Sequence, residues 1–131
     1  MEKYLFKTVL FALLVFSFAG CKLDDVSDTK DHELQELSSL KIEIDKLSEQ
    51  VNCDNAADWK FTAIGAKACG GPTGYVAYSN KIDEVLFLKK VALYTEKQKA
   101  FNVKWNIASD CSLPTLPKSI DCISGKPKFV Y

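Results

Sequence analysis

Apolar and polar positions along the 131-residue chain change period several times, and each change predicts a different element. Val9 to Phe18 is a run of ten residues broken only by Ser17. That is short of the roughly 20 apolar residues a membrane-spanning helix needs. Residues 22 to 31 are polar and acidic and predict a flexible leader. Leu37, Leu40, Ile44, Leu47 and Val51 then recur at spacings of 3, 4, 3 and 4, the signature of a heptad seam. A helix over 31–51 would span about 30 Å. Lys30 and Glu33 occupy the preceding seam positions, so the seam covers only about two heptads. So short a seam favours a helix that docks on its own domain, or spaces it from a membrane, over a self-associating stalk.

The pattern changes again after Asn52-Cys53-Asp54-Asn55, a boundary turn. Trp59 to Ile64, rich in aromatic and β-branched residues, predicts a strand. Gly65 to Pro72 reads as a loop, and Tyr75 to Tyr78 as a short extended piece. A helix is predicted from about 81 to 105, capped by Ser79 or Asn80, with Asp83 and Glu84 in its first turn. It carries two apolar stripes. Phe87, Val91, Tyr94, Phe101 and Trp105 share one face with Gln98 among them, while Ile82, Val85, Leu86, Ala92, Leu93, Ala100 and Val103 lie mostly opposite. Two such faces predict a buried core helix. Beyond Pro114 and Pro117, residues 119–123 and 128–131 predict a hairpin around Ser124-Gly125-Lys126. The expected fold class is α+β: an N-terminal tether helix, then a small disulfide-linked domain with one long helix packed on a short antiparallel sheet. That sheet is expected to combine residues 59–64 with the terminal hairpin.

The first twenty residues separate from this plan. Lys3 and Lys7 precede the apolar run, and Phe18-Ala19-Gly20-Cys21 follows it. This is the layout of a secretory signal peptide. Its end resembles the lipobox at which a bacterial lipoprotein precursor is cleaved, with Phe18 where most lipoboxes carry Leu. The resemblance implies a signal peptide over 1–20 and a lipidated Cys21. A mature lipoprotein Cys carries two or three acyl chains, enough for stable anchoring. Lys22-Leu23-Asp24-Asp25 resembles the Lys-plus-acidic tag that sends some lipoproteins to the cell surface. The expected location is therefore the bacterial outer membrane, on its surface or its periplasmic face. The domain plan is 1–20 signal, 21–51 anchor and acidic helical tether, and 52–131 globular domain.

Charge and cysteines sharpen that division. Net charge is zero, yet residues 22–51 hold nine acids and four Lys, whereas 52–131 hold seven acids and eleven Lys. All seventeen basic residues are Lys. Lys lacks the bidentate fork that suits phosphates and bases, so nucleic acid is not an expected partner. Of five cysteines, Cys21 is assigned to the lipid. Cys53, Cys69, Cys111 and Cys122 remain, an even set that implies two disulfides in an exported domain. Four cysteines allow three connectivities. The arrangement expected here nests Cys69–Cys111 inside Cys53–Cys122, tying both flanks of the long helix and joining the domain's ends.

Candidate chemistry is sparse. The single histidine, His32, lies in the acidic segment, so no Cys-His or Ser-His-Asp site is expected in the domain. No Cys spacing suggests zinc, and neither metal nor cofactor is expected. Asp83, Glu84 and Asp110 are the only carboxylates that could serve sugar hydrolysis, and capping or solvation accounts for them more simply. The loop has neither a phosphate-loop nor a dinucleotide pattern. Gly70 and Gly71 free the backbone beside a disulfide. With Pro72, Tyr75 and Tyr78 they form the candidate binding loop; Trp59, Tyr94 and Trp105 are read first as core.

The run Ile64-Gly65-Ala66-Lys67-Ala68-Cys69-Gly70-Gly71-Pro72 is the first of a series of short pieces. Ala77-Tyr78-Ser79, Ile82-Asp83, Phe101-Asn102, Lys104-Trp105, Ser109-Asp110-Cys111 and Cys122 follow it. Together, over roughly 53–131, they resemble a family of small, uncharacterised bacterial lipoproteins. The resemblance implies a compact cysteine-containing domain behind a lipid anchor, and no activity. Some similar proteins carry another Cys near the position of Pro127. The functional expectation is a non-enzymatic, membrane-anchored binding or inhibitor-like module. Its expected partners are the membrane, through Cys21, and an envelope or extracellular protein or ligand. The alternative is a structural protein that assembles through its tether helix.

Overall fold

A computed structural model describes residues 25–131. The signal segment, the lipobox with Cys21, and residues 22–24 lie outside the described residues. The fold is α+β, with two α-helices, two small antiparallel sheets and two disulfides. In chain order it runs α1 (Asp25–Ser48), a 3-10 turn (Ala56–Asp58), β1 (Trp59–Ile64), β2 (Gly74–Ser79), α2 (Glu84–Lys104), β3 (Ser119–Ile123) and β4 (Lys126–Val130).

Helix α1 begins earlier than its seam predicts. The acid-rich run before residue 31 suits the partly positive N-terminal end of a helix and continues it back to Asp25. It ends at Ser48 rather than 51: Glu49 N–H still reaches the Asp45 carbonyl, but Gln50 N–H tightens to Leu47, and the buried Ser48 hydroxyl donates to the Ala77 carbonyl of β2 at 2.6 Å. The seam is docked within the chain. Leu37 and Ile44 are buried, and Leu40 and Leu47 pack on the same core.

Strand β1 pairs along its length with β2, from Trp59 opposite Ser79 to Ile64 opposite Gly74. The short extended piece is therefore a full strand. Alternation sends Ile64, Val76 and Tyr78 to one face, where they meet Ile44 of α1 and Phe87 and Val91 of α2. It sends Trp59 and Ala77 to the other face, against Cys53 and Ile120, with Phe61, Cys122 and Phe129 at the margin. The sheet is thus the middle layer, with helices on one side and the terminal hairpin on the other. Fully burying a side chain such as Phe87 contributes about 1.5–3 kcal/mol.

The expected single sheet is not formed. β3 pairs only with β4, and β1 only with β2. The hairpin stacks its apolar face on β1 and does not extend the ladder. Pro127, which lacks an N–H, flanked by Lys126 and Lys128, suits β4 to an edge position. Its turn takes positive φ at both Ser124 (51°) and Gly125 (73°), the two-residue geometry matched to strand twist. The Gly125 carbonyl accepts from the Cys53 N–H at 2.8 Å, fastening the start of the domain to the hairpin tip.

Helix α2 starts at Glu84, later than predicted. Ser79 is still in β2, so the helix cannot open until a turn has passed, and the Asp83 carboxylate caps it by accepting from Leu86 N–H at 2.9 Å. Past Lys104 the chain turns through Asn106 at φ 47°, and the Ile107 N–H returns to the Asn102 carbonyl. Of the two predicted stripes, one is buried through Phe87, Val91 and Phe101. The other is not: Val85, Leu86, Leu93 and Val103 are exposed, so α2 is covered on one side only.

Candidate functional site: a cleft beside the glycine loop

The segment Gly65–Thr73 joins β1 to β2 and folds on itself before it touches anything else. The Thr73 N–H and hydroxyl both donate to the Ile64 carbonyl, closing its base. Lys67 N–H donates to Gly71 carbonyl at 2.9 Å and Gly70 N–H to Lys67 carbonyl at 3.0 Å, closing its tip. Gly65 is required on two counts. Its φ is 78°, and a Cβ there would lie 2.0 Å from Thr73 Oγ1 and 2.6 Å from Gln98 Oε1.

The loop is then pinned to α2 through three uncharged polar side chains. Thr95 Oγ1 accepts from Gly65 N–H at 3.0 Å, and Gln98 Oε1 accepts from Ala66 N–H at 2.8 Å. Asn102 Nδ2 donates to the Ala66 carbonyl at 2.8 Å. Residues 95, 98 and 102 fall on one helix face by their spacing of three and four. The 109–112 segment holds the loop from the other side. Ala68 N–H donates to Ser109 Oγ at 3.1 Å, and the Lys67 ammonium donates to Asp110 at 2.6 Å and to the Ser112 carbonyl at 2.5 Å. The Lys67 contact first, and the Ser112 hydroxyl second, hold the Asp110 carboxyl below its ordinary range. The Cys69–Cys111 disulfide completes the attachment.

Between this loop and the last turns of α2 lies a cleft of about 690 Å³. Gly70, Gly71 and Pro72 line one wall, and Glu96, Lys99 and Val103 the other. Two further members of the candidate binding loop lie elsewhere. Tyr75 sits edge-on to Phe61 with ring centroids 6.0 Å apart. Tyr78 is buried, stacked on Phe87 at 4.9 Å, with its hydroxyl donating to Glu84 at 3.2 Å. Burial foremost, with Glu84 beside it, pushes the Tyr78 hydroxyl above its ordinary range. Of the carboxylates considered for sugar hydrolysis, Asp83 caps α2, Glu84 meets Lys60 and Tyr78, and Asp110 is held by Lys67. They do not converge. The cleft offers apolar contact, loop backbone groups, the ammonium groups of Lys67 and Lys99 and the carboxylate of Glu96.

The pinning residues Thr95, Gln98 and Asn102 escape a search for charged or nucleophilic chemistry. Their signal is uncharged polarity at helical spacing inside an amphipathic helix, visible only in part through Gln98.

A second feature joins α1 to α2, which run antiparallel. Glu33 accepts from the Lys104 ammonium and, at 2.9 Å, from the Trp105 indole. Glu36 pairs with Lys97 at 3.0 Å and Glu43 with Lys90 at 2.7 Å. Each lysine hydrogen bond lowers its glutamate's pKa below the ordinary value of 4.5. Among the described residues, no group of three His, Cys, Asp or Glu could hold a metal ion, and no helix is long and apolar enough to cross a membrane. No protein-family model, curated protein or solved structure matches the chain.

Proposed function

We propose that the chain is a lipid-anchored envelope protein whose folded part is a non-enzymatic binding module, with the glycine-loop cleft as its ligand site. One observation carries this reading: the cleft is pre-built. Its loop wall is fixed to α2 by Thr95, Gln98 and Asn102 and to the 109–112 segment by Lys67, Ser109 and a disulfide. Pre-organisation of this kind lowers the entropy that binding must overcome. The reading also keeps the signal peptide and lipidated Cys21, the outer-membrane location, and kinship with the small lipoproteins that the sequence resembles. α1 is then the link between anchor and domain. The burial of Leu37 and Ile44 against the chain's own core weighs against the alternative of assembly through the α1 seam.

The test is an amide NMR titration of residues 22–131 with defined envelope chemistries: peptidoglycan fragments, outer-membrane oligosaccharides and short peptides. Saturable shifts confined to 65–73 and 95–107 support the binding module. Saturation elsewhere, or no shift at millimolar ligand, overturns the assignment of the cleft. Loss of acyl labelling in Cys21→Ala, with labelling of the parent chain, supports the anchor.

A further inference from the structure

The antiparallel packing of the helices decides which end of the molecule faces the membrane. If α1 stood free, its 24 residues would lift the domain by about 36 Å. It is instead zipped along α2 from Glu33 at Lys104 to Glu43 at Lys90, so its length adds no height. Only residues 22–24 separate Cys21 from the first residue of α1. Four steps of extended chain reach at most about 14 Å. The N-terminal part of α1 lies at the C-terminal end of α2, where the Lys30 ammonium sits 5.8 Å from the Trp105 ring. The far end of α1 leads to Cys53, which is bonded to the hairpin turn at Gly125. Eighteen helical rises between Lys30 and Ser48 separate these ends by about 27 Å.

From this we infer that the surface formed by the last turn of α2 and the neighbouring loops, with Val103, Trp105 and Leu113, meets the lipid bilayer, so that the cleft opens at the membrane. The inference rests on the anchor at Cys21 proposed above. The composition of that end fits a bilayer interface. Val103 is 79 % exposed and Leu113 68 %, and they border one cleft, since Val103 lines it and Leu113 crowds Gly71. The ammonium groups of Lys30 and Lys104 lie 5.8 and 5.0 Å from the Trp105 ring, whose indole N–H, like Lys104, is held by Glu33. A Trp flanked by Lys is the combination that settles at lipid headgroups. The acid-rich start of α1 is too polar to enter the apolar layer, which leaves the contact to Val103 and Leu113. A ligand of the cleft is then one within reach of the membrane surface.

The test uses the mature lipoprotein extracted from membranes and reconstituted in vesicles of phosphatidylethanolamine and phosphatidylglycerol that carry a headgroup quencher. A fluorescent non-canonical residue is placed at Val103, at Leu113 or at Ser124, all exposed and none a cysteine. The expected result is at least about threefold stronger quenching at 103 and 113 than at 124, given the separation of the two ends. Equal quenching, or stronger quenching at 124, overturns the orientation while the anchor stands. Protein that fails to join vesicles and whose mass shows an unmodified Cys21 overturns the anchor and the orientation with it.

Discussion

The two disulfides close loops of comparable length, yet they hold different kinds of structure. Sequence separations of 69 for Cys53–Cys122 and 42 for Cys69–Cys111 correspond to about 4 kcal/mol each by chain entropy alone. Their surroundings separate them. Cys53 is 2 % exposed and sits in a core with Trp59, Ala77 and Ile120. Cys69 and Cys111 are both exposed, Cys69 between the cleft-lining Ala68 and Gly70. The first bond is part of the interior. The second is a surface clasp on a loop already tied by Ala66, Ala68 and Lys67. The chain-entropy part acts on the unfolded state and is nearly the same for both, so the packing around Cys53 is what sets them apart.

The largest effect should come from removing the interior bond. Cys53→Ala with Cys122→Ala is expected to cost about 5 kcal/mol in urea unfolding, loop entropy plus lost packing. That is comparable to the whole stability of many small domains. If this pair proves no costlier than its surface counterpart, the distinction between interior and clasp is lost. Gly65→Ala comes next, at about 3 kcal/mol, since a Cβ meets Thr73 and Gln98 and the backbone is left-handed. It asks whether the clasp region is rooted in buried structure; a cost under about 1 kcal/mol would say that it is not.

Cys69→Ser with Cys111→Ser lacks the packing loss and should cost at most about 3 kcal/mol, under the chain-entropy figure because the unfolded chain keeps residual structure, and leave the far-ultraviolet circular dichroism spectrum unchanged. In the parent protein a dithiol reductant, itself oxidised to its disulfide, should open Cys69–Cys111 before Cys53–Cys122. Alkylation and mass spectrometry read the order directly, and simultaneous opening would erase the contrast.

The smallest effect belongs to the α1–α2 ladder, which neither disulfide spans. Hydrogen bonds from Lys104, Lys97 and Lys90 lower the pKa values of Glu33, Glu36 and Glu43. The folded state therefore takes up these protons less readily than the unfolded chain. Their contribution is present above about 4.5 and fades as pH falls through the lowered values. The urea midpoint should decline on acidification below that point, with a shallower slope in Glu36→Gln with Glu43→Gln. An unchanged slope would mean that the ladder is electrostatically idle.

The elements that follow from local pattern were largely legible in the sequence. The 37–51 seam, the 59–64 strand, the long helix and the Ser124-Gly125 turn each announce themselves within a few residues, and cysteine parity implies two disulfides. Missing from the pattern was which apolar surface meets which. The hairpin's Ile120 and Phe129 suit lateral pairing with β1 as well as stacking on it, and only the tertiary fold chooses stacking. Tyr75 and Tyr78 look alike in sequence, yet strand alternation sends them to opposite faces of the sheet. The cleft was half legible: Gly70, Gly71 and Pro72 mark the loop, whereas its helix wall and the hold of Thr95, Gln98 and Asn102 arise from residues some 25 to 35 positions away.

The antiparallel ladder also fixes how the molecule carries load. With Cys21 lipidated and a ligand held in the cleft, as proposed above, tension between them would draw α1 endwise past α2. In that sliding geometry Glu33, Glu36, Glu43 and the buried Ile44 resist together, whereas peeling would load them in turn. A weak row of surface ion pairs thereby becomes a joint whose mechanical strength depends on the direction of pull.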